Sequence, residues 1–200
     1  DLQAEVAAVP FAQGRRVHSW APNIAVKLPA TAAALDVLED CVADGITITA
    51  TVSFTVPQVL AIAERHRKGA ARARAAGKVP GRCFPVLMVG RLDDYLREVA
   101  QDRRAGVEEA DIRQAGLAVA KRAYALFKAQ GYDCPLLPAA LRGTYHMTEL
   151  AGAEMVMSIA PGIQAKLLEP GLPRECRIDE PIAPDVLRRL RSLPEFVKAY

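Results

Sequence analysis

The stretches Asn23-Ile-Ala-Val-Lys-Leu-Pro-Ala-Thr31 and Gly45-Ile-Thr-Ile-Thr-Ala-Thr-Val-Ser-Phe54 decide the fold. The first places a lysine inside a short apolar run, where strands seldom put a charge. Thr31 then caps a helix in which Leu35, Leu38 and Val42 recur at helical spacing, and Gly45 stops it. The second stretch alternates strictly, with Thr47, Thr49 and Thr51 on one face and Ile46, Ile48, Ala50 and Val52 on the other. Strand, helix, strand in this order predicts a βα unit of a parallel sheet. Within Ile24–Leu28, packing accounts for every residue but Lys27. An amine in a buried, poorly solvated strand is a nucleophile toward carbonyls, the requirement of Schiff-base chemistry. The same side chain also reads as a strand-end lysine snorkelling to solvent.

Outward from this unit the alternation of strands and helices continues. Leu2–Val9 alternates and reads as a strand carrying Gln3 and Glu5 on one face, and Pro10–Pro22 is polar and irregular. A helix is predicted from about Val56 to about Arg74, with Val59, Leu60 and Ile62 inward and Arg65, Arg67, Lys68, Arg72 and Arg74 outward. Cys83–Val89 is a strand ended by Gly90-Arg91-Leu-Asp-Asp94, followed by helices over Leu92–Val99 and Val107–Gln130. Pro135–Leu141 and Glu154–Ala160 read as strands, separated by a small helix over Tyr145–Leu150. Ile163–Leu168 is helical, Pro170–Pro184 is a loop, and Asp185–Tyr200 is helical with a break at Pro194.

The chain has 200 residues, 51% of them hydrophobic, enough to bury a core as a single domain over 1–200. Its net charge of +3 is too small to imply a nucleic-acid or membrane-surface partner. The basic run on the Val56–Arg74 helix lacks interleaved aromatics and reads as a solvated helix face. Cys41, Cys83, Cys134 and Cys176 form no Cys-x-x-Cys pair, so reduced and mostly buried thiols are expected. His18, His66 and His146 lack metal-ligand spacing and read as surface or cap residues, so neither metal nor cofactor is expected. Trp20, beside Pro22, reads as a packing anchor. No apolar run approaches the ~18–20 residues of a membrane span and no signal peptide opens the chain, which predicts a cytoplasmic protein.

Six strands separated by helices suit either a doubly wound sheet or a barrel. The first would show strands apolar on both faces. These strands are apolar on one face and carry Gln3, Glu5, Lys27 and the three threonines on the other, which favours an α/β fold of the (β/α)8 TIM-barrel type. Six strands are too few to close eight. The expectation is therefore a chain supplying the third to eighth strands, with two strands before Asp1 and a final helix cut short at Tyr200. Barrels of this type keep their chemistry at the C-terminal ends of the strands. Glu5, Lys27, Thr51, Arg91 and Arg142 would then come from five strands. Alone, Glu5 is a strand-end carboxylate, Thr51 a β-former, and each arginine a solvated charge after a strand. Together they offer a nucleophile, a carboxylate, a water-holding hydroxyl and two guanidinium groups for an anion.

At these residues the sequence resembles the transaldolase family, class I aldolases on a (β/α)8 barrel, from Glu5 to about Leu168. Val26-Lys27-Leu-Pro-Ala-Thr31 looks like the family's Schiff-base strand, and Gly45-Ile-x-x-Thr-Ala-Thr51-Val-x-Phe54 like the strand after it. Val89-Gly-Arg-Leu-Asp-Asp94 and Ala139-Ala-Leu-Arg142 are similar to its two phosphate-binding arginine segments, and the stretch from Leu150 through Ser158 to Pro161 to its last strand. The resemblance implies a Lys27 imine with the ketose carbonyl, proton transfer by Glu5 through a water positioned by Thr51, and phosphate held by Arg91 and Arg142. Thr49 and Ser158 would border the substrate.

The resemblance also implies phosphorylated sugar substrates, transfer of a dihydroxyacetone unit, the pentose phosphate pathway and a homo-oligomer. Thr49 departs from the family's asparagine, Val86 and Met88 from its serine and phenylalanine, and Ala140 from a phosphate-binding serine. The family's acid/base aspartate would precede Asp1. These departures keep two alternatives open: a related aldolase with a non-phosphorylated or sulfonated substrate or release of free dihydroxyacetone, and a catalytically inactive barrel that binds a ligand or partner.

Overall fold

A computed structural model describes the backbone of residues 2–200 and the side chains from Pro10 onward. Among the described residues the chain is α/β. Strands β1 (Val26–Pro29), β2 (Ile48–Thr51), β3 (Cys83–Leu87) and β4 (Leu137–Pro138) lie side by side in chain order. β1–β2 and β2–β3 are parallel, with Val26, Ile48 and Cys83 in one row and Lys27, Thr49 and Phe84 in the next. Sequential order is that of a partial TIM-type barrel rather than a doubly wound sheet, and these four strands do not close.

The chain divides into two compact units. The first comprises Asp1–Ser53, Gln58–Val86 and Gly131–Leu136. Its helices are α1 (Leu2–His18), α2 (Ala32–Ala43) and most of α3 (Val56–Ala75). Thr31 caps α2 by accepting the Ala34 N–H at 3.3 Å, and Val37, Leu38, Cys41 and Val42 form its buried face. β1 and β2 turn Val26, Leu28, Ile48 and Ala50 into this core. The arginines on the basic face of α3 are paired with acids. Arg65 meets Asp36 and Glu39, Arg72 meets Glu39 and Asp40, Arg67 meets Glu64, and Arg74 meets Asp133. Cys41, Cys83 and Cys134 are buried free thiols and Cys176 is exposed. Burial pushes the Cys41 and Cys134 thiols up to about 12.

Several expectations fail here for physical reasons. Leu2–Val9 is the first half of α1, not a strand. Its Leu, Gln, Ala and Glu are strong helix formers, and their propensity outweighs a short alternation. Trp20 is 65% exposed, so it is not the buried packing anchor expected. His66 on α3 is buried rather than superficial. Its Nδ1 lies 3.2 Å from Asp133 Oδ1, outside hydrogen-bonding alignment. Burial lowers the His66 pKa, with Asp133 acting more weakly the other way. A depressed histidine is buried neutral, so its contribution is fully present above the unfolded-state value of about 6.5 and is lost as pH falls through the folded value. Urea midpoints should therefore fall below pH ~6.5, and His66→Gln should flatten that part of the profile.

The second unit comprises Phe54–Pro57, Leu87–Gln130 and Leu137–Tyr200. α4 (Val89–Asp102) packs along α5 (Glu109–Ala129), and α8 (Pro184–Leu190) lies against α5. Arg189 donates to both carboxylate oxygens of the buried Asp111 at 2.7 Å, holding that acid below the usual carboxylate range. α6 (Thr144–Glu149), α7 (Pro161–Leu167) and α9 (Pro194–Ala199) complete the unit, the last starting at the expected break. Leu190, Leu193 and Phe196 are fully buried.

α4 begins at Val89, separated from β3 by Met88 alone and three residues before the predicted start. Gly90 permits this: a Cβ there would stand 2.1 Å from the Ala140 carbonyl oxygen. Gly90→Ala should cost about 2–3 kcal/mol in urea denaturation, the upper range of overpacking penalties. β4 covers only two of the seven residues expected, since Pro135 and Pro138 have no N–H to donate and Ala140 turns left-handed at φ 57°. Glu154–Ala160, expected as the last strand, joins no ladder among the described residues. Its exposure alternates residue by residue, but its one backbone bond to β4 runs from Ser158 N to Pro138 O at 3.0 Å.

Candidate functional site

In the first unit, the sheet register sets the candidate residues. Paired residues of a parallel sheet share a face. Lys27, Thr49 and Phe84 therefore form one row, and Pro29 and Thr51 the start of the next toward the strand ends. Thr49 is half-buried and Thr51 buried, while Lys27 is exposed where a buried position was expected. Val26 and Leu28, on the opposite face, take the buried positions of β1. The backbone links the same elements, with Ala30 N donating to Thr51 O at 2.6 Å. The alternation of β2 ends at Val52, which is left-handed at φ 60° and 49% exposed. A β-branched residue in that region is strained. The chain is re-fixed one residue later, where the fully buried Ser53 hydroxyl donates to the Val86 carbonyl of β3. Glu5 falls within helix α1 rather than at the end of a strand, and its side chain lies outside the described residues.

In the second unit, Arg91 and Arg142 have different surroundings. Arg91 is exposed on the first turn of α4, not in a loop after the strand. Arg142 is held on several sides. Its Nε lies 3.1 and 3.3 Å from the two carboxylate oxygens of Asp94, its Nη2 donates to Asp94 Oδ2, and its Nη1 donates to Ala140 O at 2.8 Å. Asp94 is also 3.2 Å from Arg97, which pairs with Glu109 at 2.7 Å. The Arg142 guanidinium, with Arg97 behind it, keeps the Asp94 carboxyl below its ordinary range, and Asp94 raises Arg142 in return. Ser158 is exposed beside β4.

Beneath Arg142 lies a buried polar pair that sequence reasoning missed. His146 and Asp93 are both 0% exposed, with His146 Nε2 3.1 Å from Asp93 Oδ2. His146 Nδ1 accepts the backbone N–H of Arg142 at 3.1 Å, so the ring proton sits on Nε2 and is donated to Asp93. The other Asp93 oxygen accepts the Gly116 N–H at 2.7 Å, where a Cβ would stand 2.6 Å from the Val89 carbonyl. His146 is thus a core residue, not the surface or cap residue expected. The signal was present: two adjacent acids close the Val-Gly-Arg-Leu-Asp-Asp94 segment, and His146 stands four residues beyond Arg142.

Among the described residues no group of three or more His, Cys, Asp or Glu could hold a metal ion, and no helix is long and apolar enough to cross a membrane.

Residues 4–193 match the family described as Transaldolase/Fructose-6-phosphate aldolase. A probable transaldolase of Dehalococcoides mccartyi is 27% identical over 151 residues, covering 76% of this chain and 55% of that protein. A transaldolase of Neisseria gonorrhoeae is 32% identical over 116 residues, 56% of this chain and 31% of that one. A transaldolase of Mycobacterium bovis is 31% identical over 110 residues, 54% of this chain and 29% of that one. The chain thus spans about half the length of these curated relatives, or less.

Proposed function

Because the chain belongs to the Transaldolase/Fructose-6-phosphate aldolase family, we propose that it carries the lysine chemistry of a transaldolase-like class I aldolase. The observation that carries this reading is the match over residues 4–193 together with Lys27 on β1 in register with Thr49 on β2. The Lys27 amine adds to the ketose carbonyl, water leaves, and a protonated imine forms. The C3–C4 bond then breaks, its electron pair moving into the imine to give an enamine while the aldehyde departs. The enamine carbon attacks an acceptor aldehyde, and water releases the new ketose and regenerates the amine. Glu5 moves protons through a water that Thr51 positions, Arg91 and Arg142 hold the far phosphate, and Thr49 and Ser158 border the substrate. These roles are carried over from the family resemblance. With them go phosphorylated sugars as substrates, a single barrel domain, a homo-oligomer and a cytoplasmic setting.

Borohydride reduction in the presence of fructose 6-phosphate tests the chemistry. A ketose-dependent mass increase on the peptide containing Lys27 is expected, and an increase mapped elsewhere overturns the assignment.

The residues bordering Lys27 and Arg142 support a second reading. Thr49 stands beside Lys27 in place of the family's asparagine, and Ala140 stands where its serine helps to bind phosphate. Under this reading the enamine is protonated and released, or the substrate carries no phosphate. Turnover that is the same with and without an acceptor aldehyde selects release over transfer.

A further inference from the structure

We propose that Asp94 is a positioning residue that clamps Arg142 by one edge of its guanidinium and leaves two aimed donors for the anionic group of the substrate. This rests on the reading of Arg142 as a phosphate-binding residue. A guanidinium has five N–H donors. In Arg142, Nε and one Nη2 hydrogen are taken by Asp94, and one Nη1 hydrogen by the Ala140 carbonyl. Among the described residues no further partner takes the other two hydrogens, one on each terminal nitrogen. Two N–H donors are what arginine needs to grip an oxyanion through two bonds. Asp94 and an incoming anion therefore use different donors.

The groups behind the guanidinium are fixed as well. The Arg142 backbone N–H is bound by His146, which is tied to Asp93 in the core. The Ala140 carbonyl is backed by Gly90, where no side chain could stand. Asp94 itself lies between two guanidinium groups, Arg142 and Arg97, so its charge is balanced from both sides. Without the carboxylate, two like charges face each other and a long side chain is free to change rotamer.

The test titrates inorganic phosphate into the wild type, Asp94→Ala, Asp94→Asn and Arg142→Gln by calorimetry. Asp94→Ala should weaken phosphate binding about tenfold. Asp94→Asn, which keeps one acceptor oxygen, should lose less, and Arg142→Gln at least as much as the alanine variant. In turnover, KM for a phosphorylated ketose should rise in both Asp94 variants, with kcat and the turnover of a non-phosphorylated ketose unchanged. With binding lost in Arg142→Gln, phosphate binding in Asp94→Ala as tight as in the wild type makes Asp94 dispensable and tighter binding makes it a competitor, and either overturns its positioning role while Arg142 stands. Undiminished binding in Arg142→Gln overturns the reading of Arg142, and this inference with it. Should the alanine variant fail to fold, Asp94→Asn decides: equal loss on phosphorylated and non-phosphorylated substrates marks a structural residue and also overturns it.

Discussion

Lys27→Ala is expected to abolish borohydride-dependent addition of a ketose and to lower turnover by about a thousandfold or more, since no second step of the mechanism proceeds without the imine. The substitution should be nearly silent in stability. Lys27 is exposed, and its removal opens no cavity between the buried Val26 and Leu28. Loss of activity with an unchanged urea midpoint separates a chemical role from a structural one. Mass addition that persists in Lys27→Ala would sink the assignment, and a fall in stability of more than about 1 kcal/mol would mean that the lysine also holds the strand.

Asp93→Ala should behave in the opposite way and destabilise the protein by about 3 kcal/mol. Both Asp93 and His146 are fully excluded from solvent, so removing the carboxylate leaves the His146 Nε2–H without an acceptor in a place water does not reach. The Gly116 N–H loses the same partner, and a small cavity opens between α4 and α5. Asp93→Asn should cost less, because one amide oxygen can still serve one of the two donors. Asp94→Ala, whose carboxylate is about one-third exposed, should cost under about 1 kcal/mol. Urea denaturation of the three variants checks this ranking. Equal costs for Asp93→Ala and Asp94→Ala would show that burial of the histidine pair does not set the stability of this region.

Much of the fold was legible because it depends on local periodicity. Thr31 as a cap, the apolar stripes of α2, α3 and α5, the alternation of Ile46 to Ala50 and the break at Pro194 each follow from residues within one or two turns of one another. The same reasoning misread Leu2–Val9, where a short alternation and strong helix propensity point to different structures, and the tertiary fold takes the helix. It overextended β4 and the Glu154–Ala160 strand. Extended residues make a ladder only where neighbours can exchange bonds, and Pro138 can accept from Ser158 but cannot donate.

The candidate site divides along the same line. Lys27, Thr49 and Thr51 were readable as one polar face from their spacing, because side chains in a strand alternate with period two and the register keeps them together. That Lys27 stands exposed, that Arg142 is gripped by an acid 48 residues away, and that His146 is sealed against Asp93 53 residues away were not readable. The sequence alone determined which faces are apolar and which residue types gather at the strands. Only the tertiary structure decided which charges meet, because a buried hydrogen bond joins groups that chain folding brings within about 3 Å, and local spacing carries no record of that approach.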